Sequence, residues 1–479
     1  MNIEVVNTGI TAVNSYTLLD LVDEIIEQKP DLVIIYAGHN EYYGAMGTGS
    51  SISYGSNPIV IRSYLMLKEL RFFQLCENGF RKILGSNIPK PSERTTTLME
   101  VMADKQRIPY QSEAYFDGIN QFEANLKKIL SKYNKKEIPV ILSTVVSNER
   151  DIQPFISEGI TDIEPLKEVL DQESLDAIEV AQYNANEVYK RGILYLKNDE
   201  DAAKKYLHLA KELDLLRFRA PQKINDVIVE LSQAYNAPLV DMKSVFETHS
   251  QNGIIGNELL TEHVHPTIEG QFLMADAFYE KIKELNLLHN WENYIPYNDA
   301  IEDIPVSLID SLQGKMVIDK LKESWPYTLN HVVQDTGSIT RKSYIDRLTE
   351  IKMAQDIYMK IQKWNDVMSM AYNTYDRDKD YEKGLHVAQS LIFEYPEKGV
   401  VYRMAGDMCM KMNDYQKAVF YYTRYNYFEE SSDSAEKLAM AYLKWNKIPL
   451  ARKTLRDAKN KGLEVADLSE LPESPFRTE

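Results

Sequence analysis

Over residues 1–150 the apolar positions switch between two spacings. Short continuous runs, Ile3–Val6, Asp31–Ala37 and Pro139–Val146, alternate with stretches of helical period, and a fourth run, Pro238–Met242, follows much later. The second and third runs are apolar on both faces, as strands of a covered parallel sheet are. Between the first two runs, Tyr16–Gln28 carries Leu18, Leu19, Val22, Ile25 and Ile26 on one face. Asn14 or Ser15 is placed to cap this helix and Pro30 to end it. Before the third run, Tyr115–Tyr133 repeats Phe122, Leu126, Ile129 and Leu130 at helical spacing. Strand, helix, strand, helix predicts an α/β domain with a parallel sheet.

Two insertions interrupt that pattern. Residues 44–110 open with Gly44, Gly47, Gly49 and Gly55 and continue into an amphipathic stretch, Ile59–Leu84, read as a lid, a core-packing helix or a partner-binding helix. Residues 155–222 are mostly helical in pattern and end in Leu213–Pro221. Within that end, Arg217 and Arg219 flank Phe218; an ordinary salt-bridged surface is favoured for them over an anion-binding role. The α/β domain is therefore expected over 1–290. Residues 291–345 are Pro-punctuated and read as a linker, and 346–465 as helical throughout.

The helical part repeats. Asp380-Tyr381-Glu382-Lys383-Gly384 returns as Asp414-Tyr415-Gln416-Lys417-Ala418, and Asn413 to Ala418 returns more weakly as Asn446 to Ala451. Ala371, Ala405 and Ala439 are equally spaced. A period near 34 residues with a small residue inside each helix resembles the tetratricopeptide repeat, which implies a module that docks a protein partner. Asp376, Asp378 and Asp380 look like the start of a calcium loop, but Tyr381 and Val387 stand where that loop needs Gly and Glu.

Composition narrows the function classes. The chain has 479 residues, 44% hydrophobic and 27% charged, with 55 Lys plus Arg against 72 Asp plus Glu, a net charge of −17. That balance argues against general nucleic-acid binding. No apolar run approaches the roughly 18 residues of a membrane helix. Two cysteines, Cys76 and Cys409, exclude a disulfide framework and a cysteine-based zinc site. The chain reads as soluble as written, with its location undetermined. A core strand at the first residue suggests that a preceding segment is missing or that the start lies upstream.

The candidate chemistry sits in four short stretches. Val6–Gly9, Tyr36–Glu41 and Ser143–Phe155 each follow a predicted strand, and Glu262–Gly270 leads into a helix with Phe272, Ala275 and Phe278 on one face. Ligands bind at the carboxyl ends of strands in open α/β sheets, so the four are expected to converge. Acyl transfer needs donors aimed at the forming oxyanion: Gly9 offers a backbone N–H, and Asn40 a side-chain amide beside the turn at Gly38. It also needs a base with a partner that fixes its tautomer: His265, with Glu262 three residues before it. His263, Glu41 and His39 are weaker candidates for contacting substrate. His263 with His265 has the makings of a metal pair, but no third ligand stands at a recognisable spacing, so neither metal nor cofactor is expected.

These stretches resemble blocks II, III and V of the SGNH (GDSL-like) hydrolase family over about residues 1–290. Gly9 matches the block II glycine, Asn40 the block III asparagine, and Glu262 and His265 the paired acid and base of block V. The resemblance implies a flavodoxin-like three-layer αβα fold and hydrolysis of a carbohydrate or lipid ester through a serine nucleophile. It also implies that full-length relatives are exported or membrane-anchored. The family's Gly-Asp-Ser, which supplies that serine upstream of block II, occurs nowhere in the chain. Two alternatives therefore stand beside the hydrolase: a non-catalytic binding protein built from a degenerate hydrolase and repeats, and a carbohydrate O-acyltransferase.

Overall fold

The structure is a computed structural model that describes residues 4–45, 47–50, 107–166, 178–287, 295–330 and 348–466. The chain divides into two compact units: Met1–Trp291 with Leu321–Val333, and Glu292–Lys320 with Gln334–Glu479. The stretch Ile59–Leu84 lies outside the described residues.

The first unit is built on a parallel sheet of three strands in the order β1 (Val33–Tyr36), β2 (Val140–Ser143), β3 (Leu239–Val240). Val33 to Tyr36 pair in register with Val140 to Ser143, and Leu142 and Ser143 pair with Leu239 and Val240. β2, held between two neighbours, is buried at every position, whereas edge strand β1 leaves Ile34 exposed. Helices α1 (Ser15–Glu27) and α2 (Glu113–Asn134) supply the alternation that the sequence predicts. The Asn14 side chain caps α1 and Ser112 caps α2, each accepting an orphan backbone N–H. Phe122, Leu126, Ile129 and Leu130 of α2 are buried in the main core, and Leu18, Leu19, Ile25 and Ile26 of α1 pack against it.

One predicted strand is not there. Residues 4–6 of the expected strand Ile3–Val6 form no strand, and Val5, Val6 and Ile10 are exposed. The run is too short to hold strand geometry without a neighbour, and among the described residues no strand pairs with it.

The second insertion folds as helices α3 (Ala185–Tyr195) and α4 (Glu200–Leu213), which pack together and lead into α5 (Gln222–Tyr235). The surface reading of the two arginines after α4 is overturned, since Arg217 and Arg219 are both almost fully buried. Arg219 donates to the carbonyls of Asn148 and Ile152 and pairs with Asp214 at 3.0 Å. Arg217 donates to the carbonyls of Ile108 and Glu212 and lies against the rings of Tyr115 and Tyr110. Short loops whose carbonyls turn inward need buried donors, and the guanidinium fork supplies several at once. Helices α6 (Met242–His249) and α7 (Ile268–Glu284) follow β3.

Residues 295–330 are more regular than the proline content predicts: a helical turn, Tyr297–Ile301, precedes helix α8 (Leu308–Lys322). After it the second unit is all helix: α9 (Leu348–Tyr358), α10 (Trp364–Asp378), α11 (Tyr381–Glu394), α12 (Gly399–Lys411), α13 (Tyr415–Phe428), α14 (Ser432–Lys444) and α15 (Ile448–Asn460). From α10 onward these form three helix pairs in series. Each pair's first helix is followed by a left-handed residue, Lys379, Asn413 and Asn446, with φ of 62°, 62° and 60°. Two of the second helices are capped by an aspartate, Asp380 and Asp414. Ala371, Ala405 and Ala439 are buried, as small residues at close helix crossings must be. The structure thus bears out a parallel sheet flanked by helices, followed by packed, repeat-like helices. Among the described residues no helix is long and apolar enough to cross a membrane.

Candidate functional site

The loop between α6 and α7 carries the best-formed constellation. Leu260 bridges Pro266 in antiparallel fashion, and the Thr261 N–H donates to the His265 carbonyl at 2.8 Å, closing residues 260–266 into a tight turn. Thr267 caps α7 through Gly270. A side chain at Gly270 would meet the Leu259 carbonyl at 2.2 Å, so this close approach admits glycine alone.

Inside that turn Glu262 is fully buried while the His265 side chain is 73% exposed. Glu262 Oε1 accepts the His265 backbone N–H at 2.8 Å and lies 2.5 Å from His265 Nδ1. Glu262 Oε2 accepts the His263 backbone N–H at 2.8 Å and the Tyr327 hydroxyl at 2.7 Å, and is in contact with His263 Nδ1. A carboxylate held on both oxygens fixes the imidazole it faces and leaves His265 Nε2 toward solvent. Although the ring is largely exposed, its pKa is lowered, through desolvation.

His263 lies beneath, with 5% of its side chain exposed. Phe155, Phe218 and Tyr327 surround it with ring centroids 5.6, 5.9 and 6.0 Å away. Burial, with His265, Arg219 and His39 nearby, holds it well below the usual imidazole range and so neutral. His263 is therefore part of the packing under the loop.

The segment after β2 is laced into this loop. The Asn148 N–H donates to the His263 carbonyl at 2.9 Å, and the Glu149 and Arg150 N–H groups donate to the Ile255 carbonyl. Arg150 pairs with Glu258, and Asp151 accepts the Asn257 N–H at 2.6 Å. Glu149 is buried beside His208 at 3.1 Å and Lys211 at 3.5 Å. Burial alone would raise its carboxyl pKa; the neighbouring His208 and Lys211 outweigh it and hold the pKa well below the ordinary value.

The stretch after β1 joins from the other side. The Val146 N–H donates to Tyr36 Oη at 3.2 Å, and the Ala220 N–H to His39 Nδ1 at 3.2 Å. Burial first, then the nearby His265 and Lys211, bring the His39 pKa down to about 3. A side chain at Gly38 would meet Ile224 at 2.8 Å, which explains glycine at this turn. Asn40 is exposed and its carbonyl accepts the Gly44 N–H. Glu41 points inward. Its carboxylate accepts the Ser15 N–H at 3.0 Å, the Ser15 hydroxyl at 2.7 Å and the Gln121 amide at 2.6 Å, and burial pushes its pKa up to about 7. Ser15, which also accepts from Asn125, is buried in this same knot.

Three of the four stretches thus meet, through 36–39, 144–151 and 262–266. The fourth does not join them by any hydrogen bond among the described residues: the Gly9 N–H donates to Asn7 Oδ1 at 2.9 Å on an exposed segment. Among the described residues no group of three or more His, Cys, Asp or Glu side chains forms a metal site. Sequence reasoning missed Tyr327, which lies in the expected linker. The signal was Trp325-Pro326-Tyr327, two aromatics about a proline in a polar stretch.

Compared with family models, with curated proteins and with solved structures, the chain matches none. What the site can do follows from its own geometry: an exposed imidazole backed by a buried carboxylate is built to take a proton at Nε2.

Proposed function

We propose that the first unit is an acyl-transfer domain of SGNH type, acting on a carbohydrate or lipid ester, and that the helical repeats are a tetratricopeptide-like module that docks a protein partner. The observation that carries this reading is the Glu262 Oε1–His265 Nδ1 approach of 2.5 Å, with the carboxylate buried and the imidazole open. In this reading His265 Nε2 takes the proton of an attacking hydroxyl, Glu262 holds the tautomer and steadies the imidazolium, and Asn40 and Gly9 donate to the oxyanion. No residue is assigned as nucleophile, since the chain holds no Gly-Asp-Ser. Hydrolysis and transfer to a carbohydrate acceptor share these residues and differ only in what accepts the acyl group. With water as the attacking group in place of a side-chain nucleophile, turnover of short-chain p-nitrophenyl esters that is lost in His265→Ala is the expected result.

A second reading has its own support. The missing Gly-Asp-Ser and the exposed position of Gly9 favour a non-catalytic binding protein built on the same scaffold. A folded sample without ester turnover would favour it over the enzyme.

A further inference from the structure

The donors to Glu262 come from two places. The N–H groups of His263 and His265 belong to its own loop. The Tyr327 hydroxyl comes from 65 residues further along and donates to Oε2 at 2.7 Å, with its oxygen also 2.7 Å from His263 Nδ1. Among the described residues it is the one donor that another part of the chain brings to this carboxylate. Its placement is specific. Tyr327 opens the short helical turn Tyr327–Asn330, with its ring edge-on to Phe155 at 5.3 Å, and Trp325 two residues earlier packs edge-on to Phe218 at 5.9 Å. The same two phenylalanines flank His263. The hydroxyl is thus delivered into an aromatic collar that seals the inner side of the carboxylate.

A bare carboxylate beside an imidazole favours the imidazolium, which is useless as a base. A hydroxyl that donates to the far oxygen shares the carboxylate's charge and fixes its plane. The groups facing His265 are Glu262 from its own loop, His263 at 6.1 Å between rings, and the neutral imidazole of His39 behind them, while Arg219 acts on His263.

We propose that Tyr327 is a positioning residue that acts through Glu262: its hydroxyl locks the second carboxylate oxygen so that the first holds His265 as the Nδ1–H tautomer, and it draws off enough charge to leave His265 unprotonated at neutral pH. This rests on reading His265 as the base.

The test uses the full chain with labelled histidine, following the His265 imidazole by NMR from pH 4 to 9, the resonance being assigned with His265→Ala. Tyr327→Phe keeps the ring against Phe155 and removes only the hydroxyl. The expected result is a His265 pKa raised by about half a unit, while Glu262→Gln lowers it. Tyr327→Met, which keeps an apolar body in the collar, gives the same upward shift and serves if the Phe variant does not fold. An unchanged or lowered His265 pKa in the folded Tyr327 variants, with Glu262→Gln still shifting it, overturns the role of Tyr327 and leaves the base pair standing. A His265 titration indifferent to Glu262→Gln overturns the base pair itself.

Discussion

The two sides of the candidate site are built differently. On the histidine side a buried carboxylate is held on both oxygens, its loop is laced to the segment after β2, and Arg219 ties that segment to α4 through Asp214. On the glycine side residues 4–10 are exposed, and the Gly9 N–H finds its partner two residues away. The orientation of His265 is thus set by tertiary contacts as well as by its own loop, whereas that of Gly9 depends on local turn geometry alone. The loop Glu262–His265 is held in place by distant partners, and Gly9 is held by its near neighbour Asn7 alone.

Substitutions should split along the same line. The largest effect is expected at His265: its replacement by Ala removes the proton acceptor and should lower ester turnover by about 10²- to 10⁴-fold, read as kcat against p-nitrophenyl acetate. Loss of turnover on Gly9→Ala but not on His265→Ala would invert the comparison. Next comes Arg219→Met. It leaves Asp214 buried without its cation and the carbonyls of Asn148 and Ile152 without their donor. The cost should be about 3–5 kcal/mol by urea denaturation.

The knot at Glu41 gives a pH-dependent effect of similar sign at another point of the scaffold. Its folded pKa of about 7 lies above the ordinary 4.5, so the fold prefers the protonated acid. Stability from this group is full below about pH 4.5 and is lost as pH rises through 7, on the order of 3 kcal/mol in all. Denaturation curves from pH 4 to 8 should show this slope in the natural chain and a flatter one in Glu41→Gln. The smallest effect belongs to the glycine side: Gly9→Ala, in an exposed segment, should change stability by less than about 0.5 kcal/mol.

Much of this architecture was legible in the sequence. Asp31–Ala37 and Pro139–Val146 are apolar on both faces, and that signature marks the strands of a covered sheet; β2 has no solvent face, while β1 at the edge leaves Ile34 exposed. The repeat was legible because Ala371, Ala405 and Ala439 recur at 34-residue steps and Asp380–Gly384 returns at Asp414–Ala418; in the structure the equivalent helices are followed by left-handed residues at Lys379, Asn413 and Asn446. The Glu262–His265 pair was legible because its geometry is local, three residues apart within one turn. The rest depends on distant partners that no spacing records. Ile3–Val6 reads as a strand by composition, but a strand also needs a neighbour. Arg217 and Arg219 read as surface because charge usually is, and their burial is explained by distant partners, the inward carbonyls of Ile108, Asn148 and Ile152 with Asp214 and Tyr115. Glu41 sits beside Asn40 in sequence, yet its carboxylate is taken up by Ser15 and Gln121. Tyr327 shows in sequence only as part of Trp325-Pro326-Tyr327, and its link to Glu262 is made by the fold alone.

The central claim is that Glu262 fixes His265 with its proton on Nδ1, leaving Nε2 free to accept another. The nitrogen chemical shifts of the His265 ring at neutral pH read this directly in the unsubstituted chain. The expected result is the Nδ1–H tautomer, with that proton shifted far downfield by the carboxylate. A His265 ring found in the Nε2–H form, or exchanging freely between the two, would contradict it.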